Sequence, residues 1–155
     1  MELINGVWMF ESEQEALQAL KKEGKRLEQL AIDLWRQYLN SYKPERYVRK
    51  GKSLTSIKLG VVKKYDEDTL CIELTWEDDL TYHDSYLTGG YPKGNSIMLI
   101  SEGWAVSRGW HRNIYRFGYY EGWHYLDKLV KAFEAEQHKG IVLEMQNSGK
   151  AVKLY

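Results

Sequence analysis

Residues 41–56, SYKPERYVRKGKSLTS, separate a helical pattern from the first convincing strands, and the reading of this stretch decides the fold. Pro44 is one of two prolines in the chain. It pushes Lys43 out of the right-handed helical region, so the preceding helix must end here. Gly51 permits a tight turn before the β-rich part begins. The stretch holds no nucleophile–base pair, no metal-ligand spacing and no phosphate-loop spacing. It reads as a joint.

Upstream of the joint, Ser12-Glu13-Gln14-Glu15 fits a capping box, with the Ser12 oxygen accepting an early helical N–H and Glu15 reaching back. Leu17, Leu20, Gly24, Leu27, Ala31, Leu34 and Tyr38 then recur at three- and four-residue steps, and Leu30 and Trp35 widen the face. This predicts one long helix packed on a sheet. Glu13 and Glu15 suit its positive end, and the basic residues from Lys21 onward suit its polarity. Gly24 costs about 1 kcal/mol of helix propensity against alanine, so a bend or a close contact is expected there. Before this helix, Leu3–Phe10 is a short apolar strand or arm around Asn5-Gly6.

Downstream, Leu54–Tyr65 reads as a strand with Ile57, Leu59 and Val61 on one face, and Asp66-Glu67-Asp68 as a turn. Leu70, Ile72, Leu74 and Trp76 alternate with Thr69, Cys71, Glu73 and Thr75, which completes an antiparallel hairpin. Residues 77–95 form a long polar loop ending in GGYPKGN; a loop of this length in a small domain is usually functional. Ser96–Glu102 fits a strand or a short helix. From Glu121 to about His138 a second helix is expected, with Trp123, Leu126, Val130 and Phe133 on one face and Gly140 just beyond its end. Ile141–Met145 and Ala151–Leu154 are strand candidates around the turn signal Asn147-Ser148-Gly149. The fold class is therefore α+β: a long N-terminal helix and a C-terminal helix on a curved, mainly antiparallel sheet. The 155 residues are expected to form a single domain, with residues 1–11 as a possible N-terminal arm.

Composition narrows the function classes. The chain is 43% hydrophobic and 28% charged, which fits a globular protein. Twenty-two basic and 22 acidic residues cancel, so bulk attraction to a polyanion is not suggested. Cys71 is alone and cannot form an internal disulfide or a cysteine metal cluster. MELINGVWMF lacks a basic leader, and no apolar run reaches spanning length, so a soluble protein made in a reducing compartment is expected. The charge is nevertheless segregated. From Lys43 to Lys64 there are eight basic residues and one acid, Glu45; from Tyr65 to Pro92 there are eight acids and no lysine or arginine. Either the hairpin neutralises itself, or one basic and one acidic side attract successive copies head to tail, which closes into a ring.

Catalytic and metal sites find little support. Asp78, Asp79, His83 and Asp84 match no strong ligand spacing. His111 and His124 have no nucleophile or paired carboxylate beside them. Gly89–Gly94 lacks the phosphate-loop spacing, and mid-strand Cys71 is an inert thiol by default. Neither catalysis nor a cofactor or metal is expected.

The joint also carries a pattern. Tyr42-x-Pro44-x-x-Tyr47-x-Arg49-x-Gly51-x-x-Leu54-x-Ser56 resembles the segment after the first helix in tailed-bacteriophage neck proteins, the tail-completion or head–tail joining family, also known as minor tail components. The order of elements from Leu17 to Met145 is similar too; Lys50 departs from the threonine that often precedes the glycine. The resemblance implies a structural virion protein of the neck or tail, made in the bacterial cytoplasm. It would form a homo-oligomeric ring between connector and tail proteins, with room for DNA to pass and no specific nucleic-acid site, no membrane and no catalysis. The matched residues Tyr42, Pro44, Tyr47, Arg49, Gly51, Leu54 and Ser56 would then set the turn and part of a subunit contact. Lys52 joins them through the basic segment, Asp78 and Asp79 through the acidic one, and Tyr91 and Lys93 through the partner-facing loop. The competing class is a small binding module, with Arg108, Arg112 and Arg116 as a basic stripe for nucleic acid.

Overall fold

The computed structural model describes residues 2–4, 7–41, 43, 51–77, 82–83, 94–102, 104–105, 119–136, 141, 143–145 and 151–154. Strands β1 (Glu2–Ile4) and β2 (Val7–Met9) pair antiparallel, with Ile4 opposite Val7 and Asn5-Gly6 between them. The arm is thus a hairpin. Asn-Gly between apolar runs is the sequence signal for that arrangement.

Helix α1 (Glu13–Asn40) opens on Ser12, whose Oγ accepts from the Glu15 N–H at 3.2 Å. The Glu15 carboxylate reaches back one residue further than a capping box requires, accepting from the Glu11 N–H at 2.9 Å. The acidic first turn is present as expected, but no basic residue occupies the last turn. The helix ends at Ser41, whose N–H and hydroxyl both donate to the Tyr38 carbonyl, at 3.0 and 2.6 Å. The buried stripe is Leu20, Gly24, Leu27, Ala31, Trp35 and Tyr38. Trp35, rather than Leu34, carries the stripe inward; Leu34 is half-buried at its margin.

The expected strand 54–65 is broken in three. Lys52–Thr55 is a single helical turn, α2; only Ile57–Leu59 (β3) and Lys63–Lys64 (β4) are strand. Both pair with β5 (Leu70–Trp76). Leu59 lies opposite Leu74 and Lys63 opposite Cys71, so residues 60–62 span a gap of two on β5. One residue is extra: this is a β-bulge, and it reverses which side chains face inward. Val62 therefore packs against the core, while Val61, expected inside, is 72% exposed. Gly60 still donates to the Glu73 carbonyl at 2.8 Å across the bulge. The acidic turn is present: the Tyr65 N–H donates to the Thr69 carbonyl, and the Asp66 carboxylate accepts from the Asp68 N–H.

The sheet is completed by β10 (Leu143–Met145) and β11 (Ala151–Leu154), in the order β10–β11–β5–β3, antiparallel throughout, with β4 beside β5 beyond the bulge. Two short ladders and a short helix lie along the path. β6 (Tyr82–His83) pairs with β7 (Gly94–Asn95), so the long loop of residues 77–95 is closed at its base by a two-residue ladder. Ser96–Glu102 is helical, α3, and β8 (Trp104–Ala105) pairs with β9 (Tyr119–Tyr120).

Helix α4 runs from Tyr125 to Glu134 and buries Tyr125, Leu126, Leu129 and Phe133. It starts four residues later than expected because Gly122 (φ 94°) and His124 (φ 53°) take left-handed conformations. Its inward face turns accordingly, with Tyr125 and Leu129 replacing Trp123 and Val130 at its centre. One buried cluster joins α1, β3, β5, α3 and α4, with Ile141 at its edge. The chain is thus α+β, with a long N-terminal and a C-terminal helix against an antiparallel sheet. Gly140, Asn147-Ser148-Gly149 and the Arg108, Arg112, Arg116 series lie outside the described residues. Among the described residues no helix is long and apolar enough to cross a membrane.

Candidate functional site

The joint after α1 is built by side-chain and backbone hydrogen bonds within its second half. Gly51 takes a left-handed conformation (φ 71°) that frees the chain to enter α2, and its carbonyl accepts from the Leu54 N–H at 3.1 Å. Among the described residues a Cβ at Gly51 would meet nothing within 4 Å, so the left-handed backbone conformation is what calls for glycine here. The Trp35 indole N–H donates to the Ser53 hydroxyl at 2.9 Å, tying the joint to α1. The Ser56 hydroxyl donates to the Ser53 carbonyl at 2.6 Å, and the Ser56 carbonyl accepts from the Glu77 N–H at 2.9 Å.

These bonds sort the expected contact residues. Ser56 is wholly buried and Leu54 packs half-buried against the core, so in this chain both serve the fold. Gly51 and Lys52 are exposed and remain available to a partner. Tyr42, Pro44, Tyr47, Arg49, Asp78, Asp79, Tyr91 and Lys93 lie outside the described residues.

The basic and acidic blocks meet partly within the chain. Lys63 Nζ stands 3.8 Å from the Glu73 carboxylate, and Lys64 Nζ 3.8 Å from Glu13 on α1. Both lysines are exposed, so these pairs contribute little to stability. The strand register sets Glu144 opposite Lys153 and Lys153 opposite Glu73, whereas Lys58 lies opposite the uncharged Thr75.

Glu28 has a different task. Its carboxylate accepts from the Leu59 N–H at 3.2 Å, on edge strand β3. A helix side chain so placed closes a backbone donor that another strand could otherwise use. Short length, the bulge and the lysines at 58, 63 and 64 protect the same edge. No feature of the one-dimensional pattern marks Glu28 or Ser53, because their partners lie 31 and 18 residues away.

The second junction joins α3 to α4. The Trp123 and His124 N–H groups donate to the Ile100 and Ser101 carbonyls at 2.7 and 3.0 Å, and the Ser101 hydroxyl accepts from the Leu126 N–H at 3.1 Å. The first turn of α4 is thus capped by a serine from another helix. Exposed Lys128 covers the Trp123 ring at 3.6 Å, and exposed His124 lies 3.7 Å from Asp127.

Beneath both junctions lies an aromatic cluster. Trp35 stacks on Tyr38 at 5.1 Å and meets Tyr125 edge-on at 5.2 Å, while Trp76 meets Tyr125 at 6.1 Å. The Tyr125 hydroxyl donates to the Ala31 carbonyl at 2.9 Å. Burial pushes its pKa well above the ordinary tyrosine range, and the nearby Trp76 N–H offsets part of that. That indole N–H is itself buried, with no acceptor at hydrogen-bond distance among the described residues. The unfolded chain ionises this group near about pH 10, whereas the folded chain keeps it protonated. Above that pH the unfolded state binds fewer protons, so stability falls as pH rises. Urea titrations at rising alkaline pH should show this loss, and Tyr125→Phe should make the decline shallower.

The aromatic hydroxyl and the two junctions are structural in form. Among the described residues between the joint and the hairpin tip, Lys52, Lys58, Lys63, Lys64, Asp66, Glu67 and Asp68 are exposed charged side chains. Comparison with known proteins adds no family: no family model, no curated protein and no solved structure matches the chain.

Proposed function

We propose that the protein is a structural subunit of a tailed-bacteriophage neck, forming a homo-oligomeric ring that joins the connector to the tail. The carrying observation is the Tyr42–Ser56 pattern placed directly after a long helix in an α+β chain. The joint supports it physically. Gly51 and Lys52 lie exposed on a segment whose far end is anchored by Trp35, Ser53 and Ser56, so a contact made there would be held on a rigid base. In this reading the protein catalyses nothing, the loop of residues 77–95 extends toward a neighbouring virion protein, and the protein is carried in the virion.

Mass photometry and negative-stain imaging of the purified protein, alone and with connector or tail proteins, test the proposal. Rings are the expected result. Arg49→Glu with Lys52→Glu should weaken ring assembly while leaving the melting curve in place. A strict monomer that ignores phage partners but binds DNA with a steep salt dependence would overturn the reading in favour of a nucleic-acid-binding module.

A further inference from the structure

The tip of the β4–β5 hairpin reads Lys63-Lys64-Tyr65-Asp66-Glu67-Asp68, two bases and three acids flanking one tyrosine. All six residues are exposed, Tyr65 at 59%, and Val61 on the adjoining bulge at 72%. Two large side chains are thus more than half exposed beside a string of charges. Among the described residues the lysines reach acids of their own chain at 3.8 Å, and no ion pair reaches Asp66, Glu67 or Asp68.

We propose that this tip is a self-association surface whose partner is the same tip of a second copy. The string is complementary to its own reverse. Two tips laid side by side in opposite directions, with a two-fold axis at Tyr65, set Lys64 against Asp66 of the other copy and Lys63 against its Glu67. Each pair occurs twice, as an isologous contact requires. The tyrosines meet on the axis, where an amphipathic ring contributes apolar area with a polar end. Parallel tips would instead place lysine against lysine and acid against acid, so the charges also select direction. The bulge turns Val61 outward rather than into the core, on the stretch that precedes Lys63. Glu28 and Lys58 block extension of the sheet through β3, which leaves the tip for association. This pairing does not depend on the neck-ring proposal and uses different residues from the joint.

Sedimentation velocity at low salt, over a wide range of concentration, tests the pairing. The wild-type protein should dimerise, and added salt should weaken the dimer. Lys63→Glu and Glu67→Lys should each weaken it roughly tenfold, since each change disrupts two symmetry-related pairs. The double variant should recover most of the loss, because the swapped charges are again complementary. All these positions are exposed, and circular dichroism checks that the fold is kept. Tyr65→Cys should also form a disulfide-linked dimer on mild oxidation, the native Cys71 being buried. A wild-type tip that leaves the protein monomeric, a double variant no better than the single ones, or a Tyr65→Cys chain that does not cross-link would overturn the proposal.

Discussion

Trp35→Ala should lower the unfolding free energy by about 3–5 kcal/mol, the range for removing a buried tryptophan. Urea denaturation would measure it. Trp35 is 1% exposed and lies between Tyr38 and Tyr125, while its indole N–H anchors the joint through Ser53. Two effects are combined in that loss, and a second substitution separates them. Trp35→Phe retains an aromatic ring but leaves the Ser53 hydroxyl without its donor. It should cost less than alanine and should loosen the joint, read as faster amide exchange at Leu54 and Ser56. Leu34→Ala, one residue away, should cost much less, because Leu34 lies half-buried at the margin of the helix face. Equal costs at 34 and 35 would mean that the helix is rotated from the arrangement described.

Gly24→Leu should destabilise by about 2–3 kcal/mol through overpacking. A Cβ built on Gly24 stands 3.1 Å from Ile72 Cδ1 and 3.2 Å from Leu59 Cδ1, so α1 is pressed against β5 and β3 at this point. Alanine needs only a few tenths of an ångström from those side chains and recovers about 1 kcal/mol of helix propensity. Gly24→Ala should therefore be near neutral, and the gap between the two variants measures the closeness of helix and sheet. Thermal melting of both, beside wild type, would give it. A leucine tolerated as well as alanine would show that the helix can lift off the sheet at little cost.

Much of this architecture could be read along the chain. The spacing of Leu20, Leu27, Ala31 and Tyr38 marked α1, and the alternation from Leu70 to Trp76 marked β5. The close contact at Gly24 was legible as one of two alternatives, a bend or a neighbour. The candidate site was legible only in part. Gly51 was recognisable as a turn residue, yet nothing in the pattern told Ser56, which is wholly buried, from Lys52, which is exposed. A serine's place depends on whether a carbonyl lies within reach, and Ser56 finds one at Ser53.

Local sequence determined the type and order of the longest elements, α1, β5 and α4, because period and capping chemistry act over a few residues. Where those elements turn and touch was decided by tertiary structure. The run from Leu54 to Tyr65 has the composition of one strand. It begins as a helical turn because its serines bond to the joint, and it bulges at residues 60–62 because its register against β5 shifts by one. Helix α4 starts at Tyr125 because Gly122 and His124 turn left-handed where the chain is bonded to α3. Each such outcome rests on a partner distant in sequence, and periodicity carries no information about which partner arrives.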